Sequence, residues 1–370
     1  MGFRVSRDVA WSTEKVESDV KNKKHGIPLQ KRMTSLLTLQ RVAVVREGVV
    51  MRIGVSALIL LAPFFFNGAS AEAQEAAAFF GGENIRSPSL SFESQAQSAP
   101  ANDAGLWFEE EKLGFITPVF SDGETNFSAL VRAQRTRFGR DLVFADKGLN
   151  APSDFGLAEL GVNWSDKDSE GNRLGAVALY GSSGPRLFAA GSAPLWSANA
   201  FIERKAEAGG KWLYFVNISN TRSRWNNIPI PGFAYVWSSA SANLVVGLPF
   251  IFAMWRPDPW MLSLNVSPFA VSTEGAYRVW GPVQIFSGLG WQPRAYLNLI
   301  PDSSERLIFD RKEATAGARL FMGPKGSFSL AYVHGFGRRI FLGNSISDAH
   351  SEVQTLDDSG GLQARGRYSF

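Results

Sequence analysis

Cysteine is absent from the 370 residues. That excludes disulfide scaffolds, cysteine-ligated metals and cysteine nucleophiles together, and it suits an oxidising compartment where a stray thiol is a liability. Long apolar runs are missing after the first seventy residues. The longest, 244–255, is broken by Gly247 and Pro249 and falls well short of the about 20 residues a membrane helix needs. Any membrane crossing must therefore be made of strands. An excess of one charge is also lacking, although the sequence pI of about 9.3 suggests otherwise. Residues 1–50 hold ten Lys and Arg against five Asp and Glu, whereas from Glu72 onward 27 basic residues face 29 acidic ones. The mature part is not basic, and no nucleic-acid partner is expected.

What is present begins with an export segment. Met51 and Arg52 precede an apolar stretch, 53–66, that ends in Asn67, Gly68, Ala69, Ser70 and Ala71. A short positive region, an apolar region and small residues before Glu72 are the three parts of a secretory signal, with Ala69 and Ala71 the cleavage pair and Glu72 the first mature residue. Residues 1–50 are then either an extended N-terminus or translation from a start placed too early. Residues 72–105, rich in Ala, Ser, Gln and Pro, read as a flexible periplasmic segment. The folded domain is expected over 106–370.

Period-2 alternation recurs through that domain. Ala158, Leu160, Val162 and Trp164 alternate with Glu159, Gly161, Asn163 and Ser165; Trp260, Leu262, Leu264 and Val266 alternate with Met261, Ser263, Asn265 and Ser267; and Trp212, Tyr214, Val216 and Ile218 share a face. An apolar and aromatic face opposite a small and polar one is what a wall between lipid and water demands. A soluble sandwich alternates too, with the faces reversed. Two features separate the readings. Trp164, Trp212, Trp237, Trp255 and Trp260 stand beside turns, where amphipathic rings form the girdles of a membrane barrel. Asn-x-Ser occurs at Asn126, Asn163, Asn217 and Asn265, within strands rather than in glycan-bearing loops, so these Asn and Ser side chains are expected to face a lumen.

The expected fold is all-β, an antiparallel transmembrane β-barrel of twelve to fourteen strands. The segments are 112–120, 126–136, 154–165, 173–181, 197–205, 211–218, 228–237, 243–255, 260–268, 274–280, 283–299, 313–322, 326–336 and 361–370. Counting back from a periplasmic C-terminus places 300–312 and 337–360 outside, as barrels prefer. It also places 137–153 and 182–196 in the periplasm, which they do not suit. At least one segment between 228 and 300 is therefore miscounted, with a second error elsewhere allowed.

The last strand alternates without a slip: Leu362, Ala364, Tyr368 and Phe370 on one face, Gln363, Arg365, Arg367 and Ser369 on the other. This resembles the C-terminal signature of Gram-negative outer-membrane proteins. The resemblance implies an outer-membrane location, contact with outer-membrane lipids and lipopolysaccharide, and reading of Tyr368 and Phe370 by the barrel-assembly machinery. The stretch 229–268, with Pro-Gly-Phe-Ala-Tyr and Gly-Leu-Pro-Phe, is similar to an uncharacterised family of predicted bacterial outer-membrane barrels and brings no activity with it.

Chemistry is sparse. Of three histidines, His25 precedes the signal and His350 lies in a polar loop, leaving His334 near a strand end. A lipid-active enzyme would need His334 as a base, with a nucleophile within reach. Two positions on stands Phe336, where outer-membrane lipases place a serine. No cofactor motif or metal-ligand cluster is legible. Arg132, Glu159, Arg319, Arg365 and Arg367 are the candidates for the lumen, since a charge on the lipid face costs about 2 to 4 kcal/mol at mid-membrane. The ranking is a passive pore or small-solute channel first, a structural or surface-interaction barrel second, and a lipid-modifying enzyme third. Oligomeric state stays open.

Overall fold

The computed structural model describes residues 87–98, 108–189, 194–207, 209–297 and 305–370. Among them sixteen strands close into one antiparallel barrel, each paired with its chain neighbours. In chain order these are β1 (Ser89–Gln97), β2 (Phe108–Ser121), β3 (Asn126–Phe138), β4 (Asp154–Lys167), β5 (Arg173–Gly184), β6 (Leu195–Lys205), β7 (Lys211–Ser219) and β8 (Ile230–Ser238). The second half comprises β9 (Ala242–Leu248), β10 (Ile251–Trp255), β11 (Trp260–Ser267), β12 (Ala270–Trp280), β13 (Val283–Trp291), β14 (Arg306–Phe321), β15 (Gly326–Ser345) and β16 (Ser359–Ser369). Closure joins β1 to β16, from Ser89 opposite Ser369 to Gln97 opposite Gly361.

The count exceeds twelve to fourteen at two identifiable places. Ser89–Gln97 is a wall strand, although it lies in the stretch read as a flexible segment, so the barrel starts before residue 106. Its neighbours β2 and β16 supply the pairing that its own composition does not advertise. The second place is 243–255, which is two strands. The chain turns back at Pro249 and Phe250, and the run looked continuous because both of its faces are apolar. The segment 283–299 also divides, with Arg294–Tyr296 pairing to the outer part of β14. The signal segment with Ala69, Ala71 and Glu72 lies outside the described residues.

With sixteen strands the side-assignment problem disappears. Connections 98–107, 139–153, 185–194, 220–229, 292–305 and 346–358 all fall at one end, with only the tight turns 249–250 and 268–269 beside them. At the other end the turns run from two to five residues, as where Gly281 at φ +46° and Pro282 join β12 to β13. Long loops outside and short turns in the periplasm are the construction of bacterial barrels.

Side chains sort by parity. Leu160, Val162, Leu262, Leu264, Ile285, Leu289, Leu330 and Leu362 are exposed on the outer face. Trp164, Trp212, Trp237, Trp255, Trp260 and Trp280 are exposed around the short-turn end. Inward positions alternate with them: Asn126, Ser128, Asn163, Ser165 and Ser219 from the Asn-x-Ser triplets are all buried. An apolar outer belt with an aromatic girdle around a closed, polar-lined sheet identifies an outer-membrane β-barrel. No helix among the described residues is long and apolar enough to cross a membrane.

Candidate functional site: the lumen and its outer mouth

Sixteen strands make a barrel wide enough for an aqueous channel unless something fills it. Here two layers do. The lower layer is a network of charged side chains from β1, β2, β14, β15 and β16. Glu93 on β1 pairs with Lys112 of β2 and Arg365 of β16, each at 2.7 Å. Lys112 also meets Glu110 at 2.8 Å. Arg311 of β14 reaches over the intervening β15, β16 and β1 to Glu110 at 2.8 Å, and holds Glu313 at 3.2 Å. Gln95 and Gln97 donate to Glu313 at 2.5 and 3.0 Å, and Arg338 donates to Gln97 at 2.7 Å. Arg311 is 3% and Glu110 1% exposed. A charge so enclosed is tolerable only because its partner and further hydrogen bonds are in place. Beside the network lies a polar cavity of about 50 Å³ lined by Glu274, Arg311, Glu313, Thr315 and Arg365, room for water.

The upper layer is an apolar roof under the long loops. Inward residues near the outer ends of β2, β3, β4, β14 and β15, namely Phe108, Phe138, Phe155, Phe309 and Leu342, gather into one buried cluster. Rings of Phe108 and Phe138 lie 5.3 and 5.4 Å from that of Phe309. Into this cluster the loop between β3 and β4 folds back as a small hairpin, Leu142–Phe144 against Leu149–Ala151. Gly148 at φ +60° closes its turn, and Leu142 and Phe144 drive down into the rings at 1% and 0% exposure. Full burial of such side chains stabilises by about 1.5 to 3 kcal/mol each.

Polar contacts pin the roof at its margins. Lys147, at the tip of the hairpin, meets Glu305 at 3.3 Å, and the backbone N–H of Glu352 donates to Asp146. His350 bridges Glu305 at 3.0 Å and Asp348 at 3.2 Å. The hydrogen bond to Glu305, with the Asp348 charge adding to it, raises the His350 pKa above the usual histidine value. From the opposite side, loop 220–229 crosses toward β14 and β15: Arg306 donates to the carbonyls of Asn220 and Arg222, and the Ile346 N–H donates to Ser223. The Leu297 N–H donates to Ser183 of β5, and Tyr296 packs on Phe155 at 5.3 Å. Among the described residues, the hairpin and these contacts cover the outer mouth from two sides.

The opposite inner wall is different. Phe201, Leu213, Phe215, Ala234 and Phe250 on β6, β7, β8 and the β9–β10 turn form a second buried cluster, with Val236 and Val245 against it. These are inward positions, where a simple water-filled pore carries polar residues.

Each sequence-predicted lumen residue has an inward position. Arg132 meets Glu159 at 3.7 Å, and Arg319 is held by both carboxylate oxygens of Glu274 at 2.9 Å and stacks over Phe286. Arg365 joins the network through Glu93. Arg367 stands toward the short-turn end, opposite Ser91 and Ser327, apart from these pairs. Acid partners neutralise most of these cations, which weakens the field that an open row of arginines would focus. The network's own centre, Glu110, Arg311 and Glu313, escaped sequence reading. Glu110 is hidden in the run Glu109, Glu110, Glu111, and Arg311 sits at a bulge that shifts the register between Asp310 and Lys312. Tyr368 and Phe370 lie at the short-turn end, their rings edge to face at 4.7 Å. His334 is on the outer face, its ring stacked on Phe336. Among the described residues no group of His, Asp and Glu could hold a metal ion.

No protein-family profile matches the chain, and no curated protein matches it. Solved structures give distant likenesses. An outer-membrane channel of Pseudomonas putida F1 is 10% identical over 77% of this chain and 95% of its own, with a TM-score of 0.32. The Pseudomonas putida toluene transporter TodX is 10% identical over 83% and 95%, with 0.35. OccAB3 of Acinetobacter baumannii is 8% identical over 77% and 98%, with 0.35. Likenesses at this level bring no function to the present chain; its architecture rests on its own strand pairing.

Proposed function

We propose that the protein is a small-solute channel of the outer membrane, with its outer mouth closed by the loop hairpin in the state described. The observation that carries this is a sixteen-strand wall whose lumen is obstructed by loops and side chains from the wall itself, held by contacts that can break without unpairing a strand. Opening requires withdrawal of Leu142 and Phe144 from the roof and parting of the Arg311 and Glu110 bridge beneath it.

A surface-interaction barrel without transport is the second reading, favoured by the same roof, since a sealed barrel that only presents loops has no need of a lumen. The lipid-modifying enzyme is the weakest. His334 faces outward against Phe336, and among the described residues no hydroxyl bonds to it to support a nucleophile. Outer-membrane lipids and lipopolysaccharide are the proposed surroundings of the apolar belt, and the barrel-assembly machinery is the proposed reader of Tyr368 and Phe370. Planar-bilayer recordings and a phospholipid hydrolysis assay, both on the wild type and on His334→Ala, separate the readings. The channel gives stepwise conductance in both proteins and hydrolysis in neither. Silent bilayers under strong voltage favour the surface-interaction barrel, and hydrolysis lost in His334→Ala establishes the enzyme.

A further inference from the structure

The stretch 229–268, singled out in the sequence for its proline and glycine motifs, builds the lowest part of the wall. On β10 the chain runs only from the girdle residue Trp255 to Ile251 before turning. Four residue steps cover about 14 Å along a strand, even before tilt, against an apolar band about 25 Å tall. The β9–β10 turn therefore lies at membrane depth, not above it. Backbone at that depth is tolerated only where its polar groups are satisfied or line a cavity. Within the turn the Gly247 N–H donates to the Phe250 carbonyl at 3.1 Å, and Pro249 has no N–H to satisfy.

Level with the turn, β8 runs on by three residues past its last pair with β9 and β11 ends one residue past its last pair with β10, so the wall stays low from β9 to the β11–β12 turn. β8 pairs with β9 only from Phe233 onward, leaving Ile230, Pro231 and Gly232 beyond the top of β9. On the far side β11 pairs with β10 only up to Val266, and Ser267 and Pro268 follow. Over the resulting dip arches loop 220–229, whose Trp225 meets Phe269 of the β11–β12 turn edge to face at 5.9 Å. Arg222 stacks over the same Phe269 and ties the loop internally by donating to the carbonyls of Trp225, Ile228 and Asn217. Trp225 is held at φ +52°, an unfavourable conformation for a bulky side chain that persists only when its surroundings fix it. Leu248, Ile251, Ile228 and Trp225 are exposed around the dip. Inside it stands Phe250, buried, its ring 5.3 Å from Phe215 on the apolar inner wall.

We propose that this dip is a side entrance at membrane depth, through which small uncharged apolar molecules dissolved in the outer leaflet pass into the lumen, with the Phe250 ring as its gate. The proposal rests on the channel reading and names its substrate class. Three features meet here: the axial mouth is roofed, the wall is lowest where it lies against lipid, and the inner face behind the dip is apolar, whereas the side of the lumen built by β1, β2, β14 and β16 carries the ion-pair network. A charged solute would have to leave water twice to use this route, whereas an apolar one is already concentrated in the bilayer.

Because the chain has no cysteine, a single thiol at Val245→Cys on the inner wall reports arrivals cleanly. The protein, reconstituted in phospholipid vesicles, is exposed to N-(1-pyrenyl)maleimide, which partitions into the bilayer, or to a sulfonated maleimide confined to water. Heat-modifiable migration verifies folding of every variant. Labelling by the pyrenyl reagent should outpace the sulfonated one, and Phe250→Ala should raise the pyrenyl rate several-fold while leaving the sulfonated rate low. Equal rates for the two reagents, or a pyrenyl rate indifferent to Phe250→Ala, would overturn the side entrance. Failure of the channel reading shows separately, as vesicles whose folded protein carries no ion conductance.

Discussion

The tall wall formed by β14 and β15 and the low wall formed by β9 and β10 solve one problem in opposite ways. On the tall side strands of 16 and 20 residues rise past the membrane, and their inner faces carry buried ion pairs together with the apolar residues of the roof. On the low side strands of 7 and 5 residues stop within it, and their inner faces are apolar. Where the wall extends into water it can carry arginine and glutamate inward and out, as Glu109, Arg135, Arg137 and Asp154 do on the outer face of β2, β3 and β4. Where it ends in lipid, prolines and aromatics replace them.

The comparison breaks most readily at the tall side. Arg311→Ala leaves Glu110 enclosed without its main partner, and loss of one member of a buried pair costs about 3 to 5 kcal/mol. Urea unfolding followed by heat-modifiable migration should show that loss, and Glu110→Gln in the same chain should restore much of it. If the single variant is as stable as the wild type, the network does not brace the tall wall.

At the low side the faces can be tested against each other. Leu264→Arg places a charge on the lipid face and should cost about 2 to 4 kcal/mol. Its neighbour Asn265→Arg points inward and should cost far less. Equal penalties would contradict the parity on which the wall assignment depends.

That parity was the most legible part of the sequence, and its failures have physical causes. β4 and β11 could be read because every second residue meets lipid. β1 could not: Ser94 and Ala96 share the outer face with Leu90 and Phe92, and the strand is stable only because β2 and β16 flank it. The break at Pro249 was masked where both faces are apolar, the very feature that sets the low wall apart. The lumen candidates Arg132, Glu159, Arg319, Arg365 and Arg367 followed from exclusion of charge from lipid, a local rule. Neither the bridge from Glu110 to Arg311 nor the roof has a local signal, because Phe144 meets partners such as Leu307 and Leu342 that only barrel closure brings near.

The smallest effect concerns the margin of the roof. His350 is held by Glu305 and Asp348, and Glu305 also meets Lys147 of the hairpin. Its folded pKa is raised, so its contribution is complete below about 6.5, the unfolded histidine value, and is lost as pH rises through the folded value. Hydrogen exchange in 142–151 should quicken across that window in the wild type and be pH-indifferent in His350→Ala beyond the intrinsic rate. The same pH response in both proteins would remove His350 from the latch.

The most direct test of a capped channel is single-channel recording of the wild type beside a variant whose residues 142–151 are replaced by a short Gly-Ser link, with folding verified by heat-modifiable migration. The wild type should be mostly closed with brief openings, and the shortened variant should show long-lived openings of larger conductance. Identical traces, or silence from a correctly folded shortened variant, would contradict the account.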